Sequence, residues 1–137
     1  QKKHHTRAVL EGVSYGLNDS LSLMRKLGVD PSEIVLSGGG SRSALWKQML
    51  ADVFATPCAM VNALEGAAYG AAILAAVGVG GFGSVEEACN SFIQKTETIH
   101  PGSDQEIYSQ YYPIYKSLYP SLKNQFAQIA DAISTNS

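Results

Sequence analysis

Charge of either sign is scarce. The 137 residues carry ten lysines and arginines against twelve aspartates and glutamates, a formal net charge of −2. No basic stripe runs along any segment, so the electrostatic footprint of a nucleic-acid-binding protein is missing. Only two cysteines occur, Cys58 and Cys89, far apart and in no metal or redox spacing, which fits a reducing, cytoplasmic setting. His4, His5 and His100 also lack metal-ligand spacing, and no metal site is expected. No apolar run approaches the roughly 18 residues of a membrane span. The longest such stretch, residues 67–79, is broken by Gly70 and Gly78, so no membrane partner is expected. The N-terminus is polar and basic without the apolar core of a signal peptide. An initiator methionine is missing too: the chain opens on Gln1 and enters helical sequence almost at once, which leads us to expect a fragment of a longer protein.

What is present suffices for one modest domain, with 45% apolar residues to build a core. Residues 6–27 repeat apolar side chains at helical spacing, and Gly28 stands at the C-cap position. Asp30-Pro31-Ser32 is turn chemistry, and residues 33–37 (EIVLS) predict a short buried strand. After the turn Gly38–Gly40, Ser41 or Ser43 can cap a helix over residues 42–54. Pro57 breaks the chain before a second short strand, residues 58–61 (CAMV). A small-residue helix follows over residues 65–77, then a glycine-rich loop over 78–83 and a capping-box helix from Ser84 to about residue 92. Residues 96–100 read as an extended connector or third strand, and 103–118 and 120–133 as two terminal helices. The alternation predicts parallel pairing with short strand-to-helix loops. Two or three short strands make a poor sheet alone, so further strands are expected beside residues 33–37.

Three consecutive glycines, Gly38, Gly39 and Gly40, between a strand and a helix raise a specific question. Glycine permits positive φ and lets backbone approach a ligand, and a helix N-terminus attracts anions. A nucleotide or phosphate cradle and a plain tight turn both satisfy the pattern. It is not a P-loop, because no Lys-Ser/Thr follows the glycines, and GGGSRS lacks the GxGxxG spacing. In the next small-residue segment, Gly66, Ala67, Gly70, Ala71 and Ala75 leave one helix face nearly bare. That face either packs closely under the glycine turn or belongs to an ordinary buried helix.

Other residues read as structural. Arg7 and Glu11 have helical ion-pair spacing. Asp52 has a base's chemistry, but no histidine or second carboxylate lies near it in sequence, which favours a hydrogen bond to backbone. Trp46 can stack on a base or pack in the core. Tyr108, Tyr112, Tyr115 and Tyr119 form a helical stripe interrupted by Pro113.

Three stretches together carry a family resemblance: RAVLEGVSYGL (residues 7–17), LSGGGSRSALWKQMLADVF (36–54) and EGAAYGAAILAAVGVGGFGSVEEA (65–88). With the closing YYPIYKSLYPSLK (111–123), they resemble the C-terminal part of FGGY-family carbohydrate kinases, the xylulokinase branch above all. The resemblance implies a partial ribonuclease-H-like (actin-like ATPase) domain, an α/β fold that is mostly helical with two or three short strands. It implies that residues 1–137 form the C-terminal portion of the second, nucleotide-binding domain, without the N-terminal sugar-binding domain. Gly38, Gly39, Gly40 and Ser43 become the nucleotide-binding residues. Ser43, shorter and without an amide, stands where relatives often carry an asparagine that contacts the nucleotide, and Glu65 stands at a position often acidic. The implied reaction is phosphoryl transfer from Mg-ATP to a sugar hydroxyl. ATP or ADP and Mg²⁺ serve the intact enzyme, and the sugar binds through the missing domain. No catalytic residue has a counterpart in this chain, so it is expected to be inactive alone. The open edge of the strand at 33–37 is expected to drive self-association. Alternatives are another kinase of the family (glycerol, gluconate or ribulose), a different actin-like ATPase, against which LWKQMLADVF argues, and a non-catalytic α/β binding or oligomerisation module.

Overall fold

The structure is a computed structural model that describes residues 2–63 and 66–135. Helix α1 spans Lys2–Lys26 and starts a turn earlier than its apolar pattern. It ends on Gly28 with φ 88°, where the Val29 amide donates to the Met24 carbonyl at 3.0 Å. That six-to-one bond closes the helix and needs a left-handed residue. Strand β1 (Ile34–Leu36), helix α2 (Ala44–Phe54) and strand β2 (Cys58–Val61) form a strand–helix–strand unit. β1 and β2 pair in parallel, Ile34 opposite Cys58 and Leu36 opposite Met60.

Helices α3 (Gly66–Gly78) and α4 (Val85–Phe92) pack on each other and lead to strand β3 (Lys95–Ile99). β3 is a true strand, antiparallel to β2 with Cys58 opposite Ile99, so the sheet order is β1-β2-β3. Lys47 on α2 pairs with Glu97, and Lys95 with Glu33 at 2.7 Å, which ties β3 to α2 and to the residue that precedes β1.

The terminal segment corrects the expectation of two helices: α5 runs unbroken over Gln105–Thr135 with Pro113 and Pro120 inside it. Each proline removes one amide donor, to the carbonyls of Ser109 and Lys116 respectively. Both of those residues are exposed, so water can satisfy their carbonyls. Tyr108, Tyr112 and Tyr115 hold the first half of α5 by clasping Tyr15 of α1, with ring centroids 6.1, 5.9 and 5.2 Å apart. The tyrosine stripe is therefore a packing seam.

α2 packs on the sheet, α1 and α5 pack on α2, and the core joins Tyr15, Leu21, Met49, Leu50, Phe54 and Met60. A second expectation fails at α3. Its only buried residue is Ile73, and Gly66, Ala67, Ala71 and Ala75 are exposed. The small face does not pack under the glycine turn, because α3 makes its main contact with α4. Glu65 lies outside the described residues. Among the described residues β1 is an edge strand, with Val35 55% exposed.

Candidate nucleotide-binding turn

The three glycines stand at the C-terminal end of β1, the end where ligands bind in open α/β sheets. Each meets a different demand. Gly38 has φ 84°, a conformation that side chains resist. Gly40 lies beneath Trp46, and a Cβ there would fall 2.1 Å from Cζ3 and 2.6 Å from Cε3 of the indole. Gly39 has nothing within 4 Å of its missing Cβ and faces open space. Two of the three thus have internal reasons; Gly38 and Gly39 both leave open space where a Cβ would stand, and Gly39 alone is tied neither to a positive φ nor to the indole.

A 3-10 turn over Gly39–Arg42 links the glycines to α2. The Ser41 hydroxyl donates to the Gly38 carbonyl at 2.6 Å, and the Ser43 amide to the Gly40 carbonyl at 3.1 Å. Of the two candidate caps, Ser43 fills the role: its Oγ accepts from the Trp46 amide at 3.3 Å. Its hydroxyl is therefore already engaged by α2, while the residue remains exposed. Trp46 donates from Nε1 to Ser14 Oγ at 3.1 Å, and Ser14 donates to the Leu10 carbonyl at 2.8 Å. Of its two readings, Trp46 takes packing: it pins the turn to α1.

Beside the turn a cavity of about 550 Å³ opens between α1 and β1. Leu17, Leu21 and Met24 line one wall, Ile34 and Leu36 another, and Ser37, Gly40 and Ser41 one end. An apolar trough ending on Ser37, Gly40 and Ser41 has the amphipathic character that a nucleotide requires. Arg42, exposed in the turn, is the one cation in SGGGSRS, and the sequence reading passed over it. Its signal was charge within a glycine-rich turn.

Asp52 is not a free base. It is 4% exposed, and its Oδ1 accepts from the Gly102 amide at 2.5 Å and from Gln48 Nε2 at 2.9 Å. Burial, with Asp52 and Glu33 nearby, pushes the Cys58 thiol up to about 11, so it is no nucleophile near neutral pH. Burial likewise pushes Tyr15 up to about 12, Glu11 adding to it. Arg7 and Glu11 form the expected pair at 2.8 Å, and Arg7 also donates to Tyr108 Oη. The hydrogen bond to Glu11, then Tyr108, raises the Arg7 pKa. Among the described residues no three His, Cys, Asp or Glu side chains gather in a way that could hold a metal ion.

Residues 1–79 match the model of the C-terminal domain of the FGGY family of carbohydrate kinases. The chain belongs to that family. It is 37% identical over 129 residues to a xylulose kinase of Staphylococcus epidermidis, covering 93% of this chain and 26% of that protein. An L-fuculokinase of Escherichia coli K12 is 36% identical over 75% of the chain, and a gluconokinase of Bacillus subtilis 34% over 96%. The crystal structure of xylulose kinase from Rhodospirillum rubrum superposes with a TM-score of 0.76 at 30% identity, over 93% of this chain and 26% of that one. The ligand-bound xylulose kinase from Lactobacillus acidophilus gives 0.82 at 25% identity, over 94% and 26%. The fold is thus part of an actin-like, ribonuclease-H-like domain, mostly helical with a three-stranded sheet. The chain spans about a quarter of the length of the curated relatives it matches.

Proposed function

We propose that this chain is the C-terminal portion of the nucleotide-binding domain of an ATP-dependent sugar kinase, and that the sugar is D-xylulose, phosphorylated to D-xylulose 5-phosphate. Its share of the work is one wall of the nucleotide cradle. The observation that carries this reading is the turn at the C-terminal end of β1, where the bare backbone of Gly39 faces open space and the next two residues, Gly40 and Ser41, line one end of an apolar cavity. Gly38 and Gly40 shape the turn, Gly39 admits the nucleotide, and the exposed edge of Ser43 borders it. Arg42 supplies positive charge at the same place. The Mg²⁺ of the reaction finds no ligand set here: Asp52 is spent on Gly102 and Gln48, and no other carboxylate group gathers among the described residues. Base, sugar site and γ-phosphate contacts lie in parts of the enzyme outside this chain, so the chain alone is inactive. The setting is cytoplasmic, in line with the two free thiols and with the lack, among the described residues, of any helix long and apolar enough to cross a membrane. The open edge of β1 keeps self-association within this reading.

The gluconokinase and L-fuculokinase relatives support a second choice of sugar on the same cradle. The contact of Gly40 with Trp46 supports the rival in which the glycines only build a turn. Titration of the ¹⁵N-labelled chain with Mg-ADP tests the cradle. Amide shifts centred on Gly38–Ser43, lost in Gly39→Val with the remaining spectrum unchanged, are the expected result. An unshifted turn at millimolar nucleotide would leave the glycines with a turn role only.

A further inference from the structure

Trp46 touches the glycine turn at two points and α1 at a third. Its indole lies against Gly40, so closely that a Cβ there would fall 2.1 Å from Cζ3. Its backbone amide donates to Ser43 Oγ at 3.3 Å, and its Nε1 donates to Ser14 Oγ at 3.1 Å. Gly40 and Ser43 are therefore fixed. The groups left for a nucleotide, the backbone of Gly39 and the side chain of Arg42, are their immediate neighbours. Ser14 is 0% exposed and its hydroxyl is fully used, since it also donates to the Leu10 carbonyl at 2.8 Å. It stands in line with Leu17, Leu21 and Met24, at steps of three and four residues along one face of α1. Those three wall the cavity that Gly40, Ser41 and Trp46 also line.

We infer that Ser14 and Trp46 are positioning residues of the nucleotide turn: the buried Ser14 hydroxyl fixes the indole, and the indole holds Gly39–Arg42 in the conformation that receives the nucleotide. The inference rests on the nucleotide reading above and extends it to two residues that act through the turn. Consecutive glycines make the most freely moving backbone a chain can have. If that backbone were ordered only when the ligand arrived, binding would weaken on the order of tenfold for each residue fixed. The bonds inside the turn, from the Ser41 hydroxyl to the Gly38 carbonyl and from the Ser43 amide to the Gly40 carbonyl, shape it without attaching it to the helices. The indole supplies the attachment to α1. A hydroxyl at residue 14 does what an apolar side chain could not. It gives the indole N–H its acceptor, and the direction of that bond sets the tilt of the ring over Gly40.

Titration of the ¹⁵N-labelled 137-residue chain with Mg-ADP tests this. Trp46 is the sole tryptophan, so its Nε1–H gives a single indole peak. We expect Ser14→Ala to move that peak, to speed its exchange with solvent, and to weaken Mg-ADP binding at the Gly38–Ser43 amides on the order of tenfold. Trp46→Phe keeps a ring against Gly40 and removes the donor, so it reads the same bond should Ser14→Ala lose the fold. It should weaken binding by a similar factor, and the double variant by no more than either alone. Asp52→Ala breaks a buried hydrogen bond near the other end of α2 and should leave nucleotide affinity unchanged, so it controls for a general loss of stability. Variants of Ser14 and Trp46 that bind as tightly as the unaltered chain overturn the inference and leave the nucleotide reading standing. So do additive effects of the two, or an equal loss in Asp52→Ala. An unaltered chain whose turn amides ignore Mg-ADP removes the nucleotide reading itself, and this inference with it.

Discussion

Replacing Gly40 with alanine separates what the glycines do for the fold from what they do for a ligand. The added methyl would sit 2.1 Å from Trp46 Cζ3, inside any real carbon contact, so either the turn or the indole must move. Overpacking of this kind costs about 1–3 kcal/mol. If the indole swings away, its bond from Nε1 to Ser14 is lost as well, about 1 kcal/mol more. Gly39→Ala meets nothing within 4 Å and has no positive φ, so it is expected to be neutral or to stabilise by about 0.5 kcal/mol through the unfolded chain. Urea unfolding followed by fluorescence of Trp46, the sole tryptophan, measures both. We expect Gly40→Ala to lose about 2–3 kcal/mol, near 6–12 °C of Tm for a chain of this size, and to shift the emission. In a Trp46→Leu background the same substitution should cost less than about 0.5 kcal/mol, the difference being the coupling energy of the pair. Equal stabilities of Gly39→Ala and Gly40→Ala, or additivity with Trp46→Leu, would refute the assignment of Gly40 to indole packing.

Ser43→Ala removes the cap of α2 and should lose about 1 kcal/mol in the same assay, with Ser43→Asp keeping most of it. Asp52→Ala leaves the buried Gly102 amide without its acceptor and should cost about 1–3 kcal/mol, and Asp52→Asn less, since a carbonyl oxygen still accepts. Stability should fall at alkaline pH. The thiol of Cys58 and the phenol of Tyr15 have folded pKa values of about 11 and 12 against ordinary values of 9.0 and 10.0. Their contribution is whole below pH 9 and is lost as pH rises, because the unfolded chain releases these protons first. Denaturation midpoints should be flat from pH 7 to about 8.5, with about 1.4 kcal/mol gone per pH unit per group beyond the ordinary value. Cys58→Ser should remove the earlier part of that fall.

The elements with strong local signals were legible in the sequence. The apolar spacing and Gly28 delimit α1 because the same left-handed residue that stops a helix is the one glycine supplies. Pro57 and the glycines bracket β1 and β2, and the short α2 crossover between them allows only parallel pairing. α5 was misjudged because proline's cost is local, a single donor and a steric push, whereas the clasp on Tyr15 is tertiary and outweighs it. Nothing within residues 105–135 announces that Tyr15, ninety residues earlier, waits for Tyr108 and Tyr112. The small face of α3 failed for the opposite reason. Glycine and alanine spacing says that a close approach is possible, but not which surface makes it, and here the main neighbour of α3 is α4 while Ala67, Ala71 and Ala75 stay exposed.

At the glycine turn the difficulty is of a different kind, because composition compresses three causes into one letter. Gly38 answers to backbone conformation, Gly40 to an indole that arrives from six residues downstream, and Gly39 to neither. A run of three glycines therefore has three separate causes available to it, and the backbone angles and the contacts of each missing Cβ show which glycines the fold itself demands. The same logic sorts the polar residues around it. Ser43 and Asp52 look like reactive or ligand-reaching groups by type, yet each already satisfies a backbone amide that the fold would otherwise leave unpaired. What remains uncommitted at the end of β1 is the bare backbone of Gly39, the guanidinium of Arg42 and an apolar cavity: charge, peptide and oil side by side, the three surfaces a nucleotide also presents.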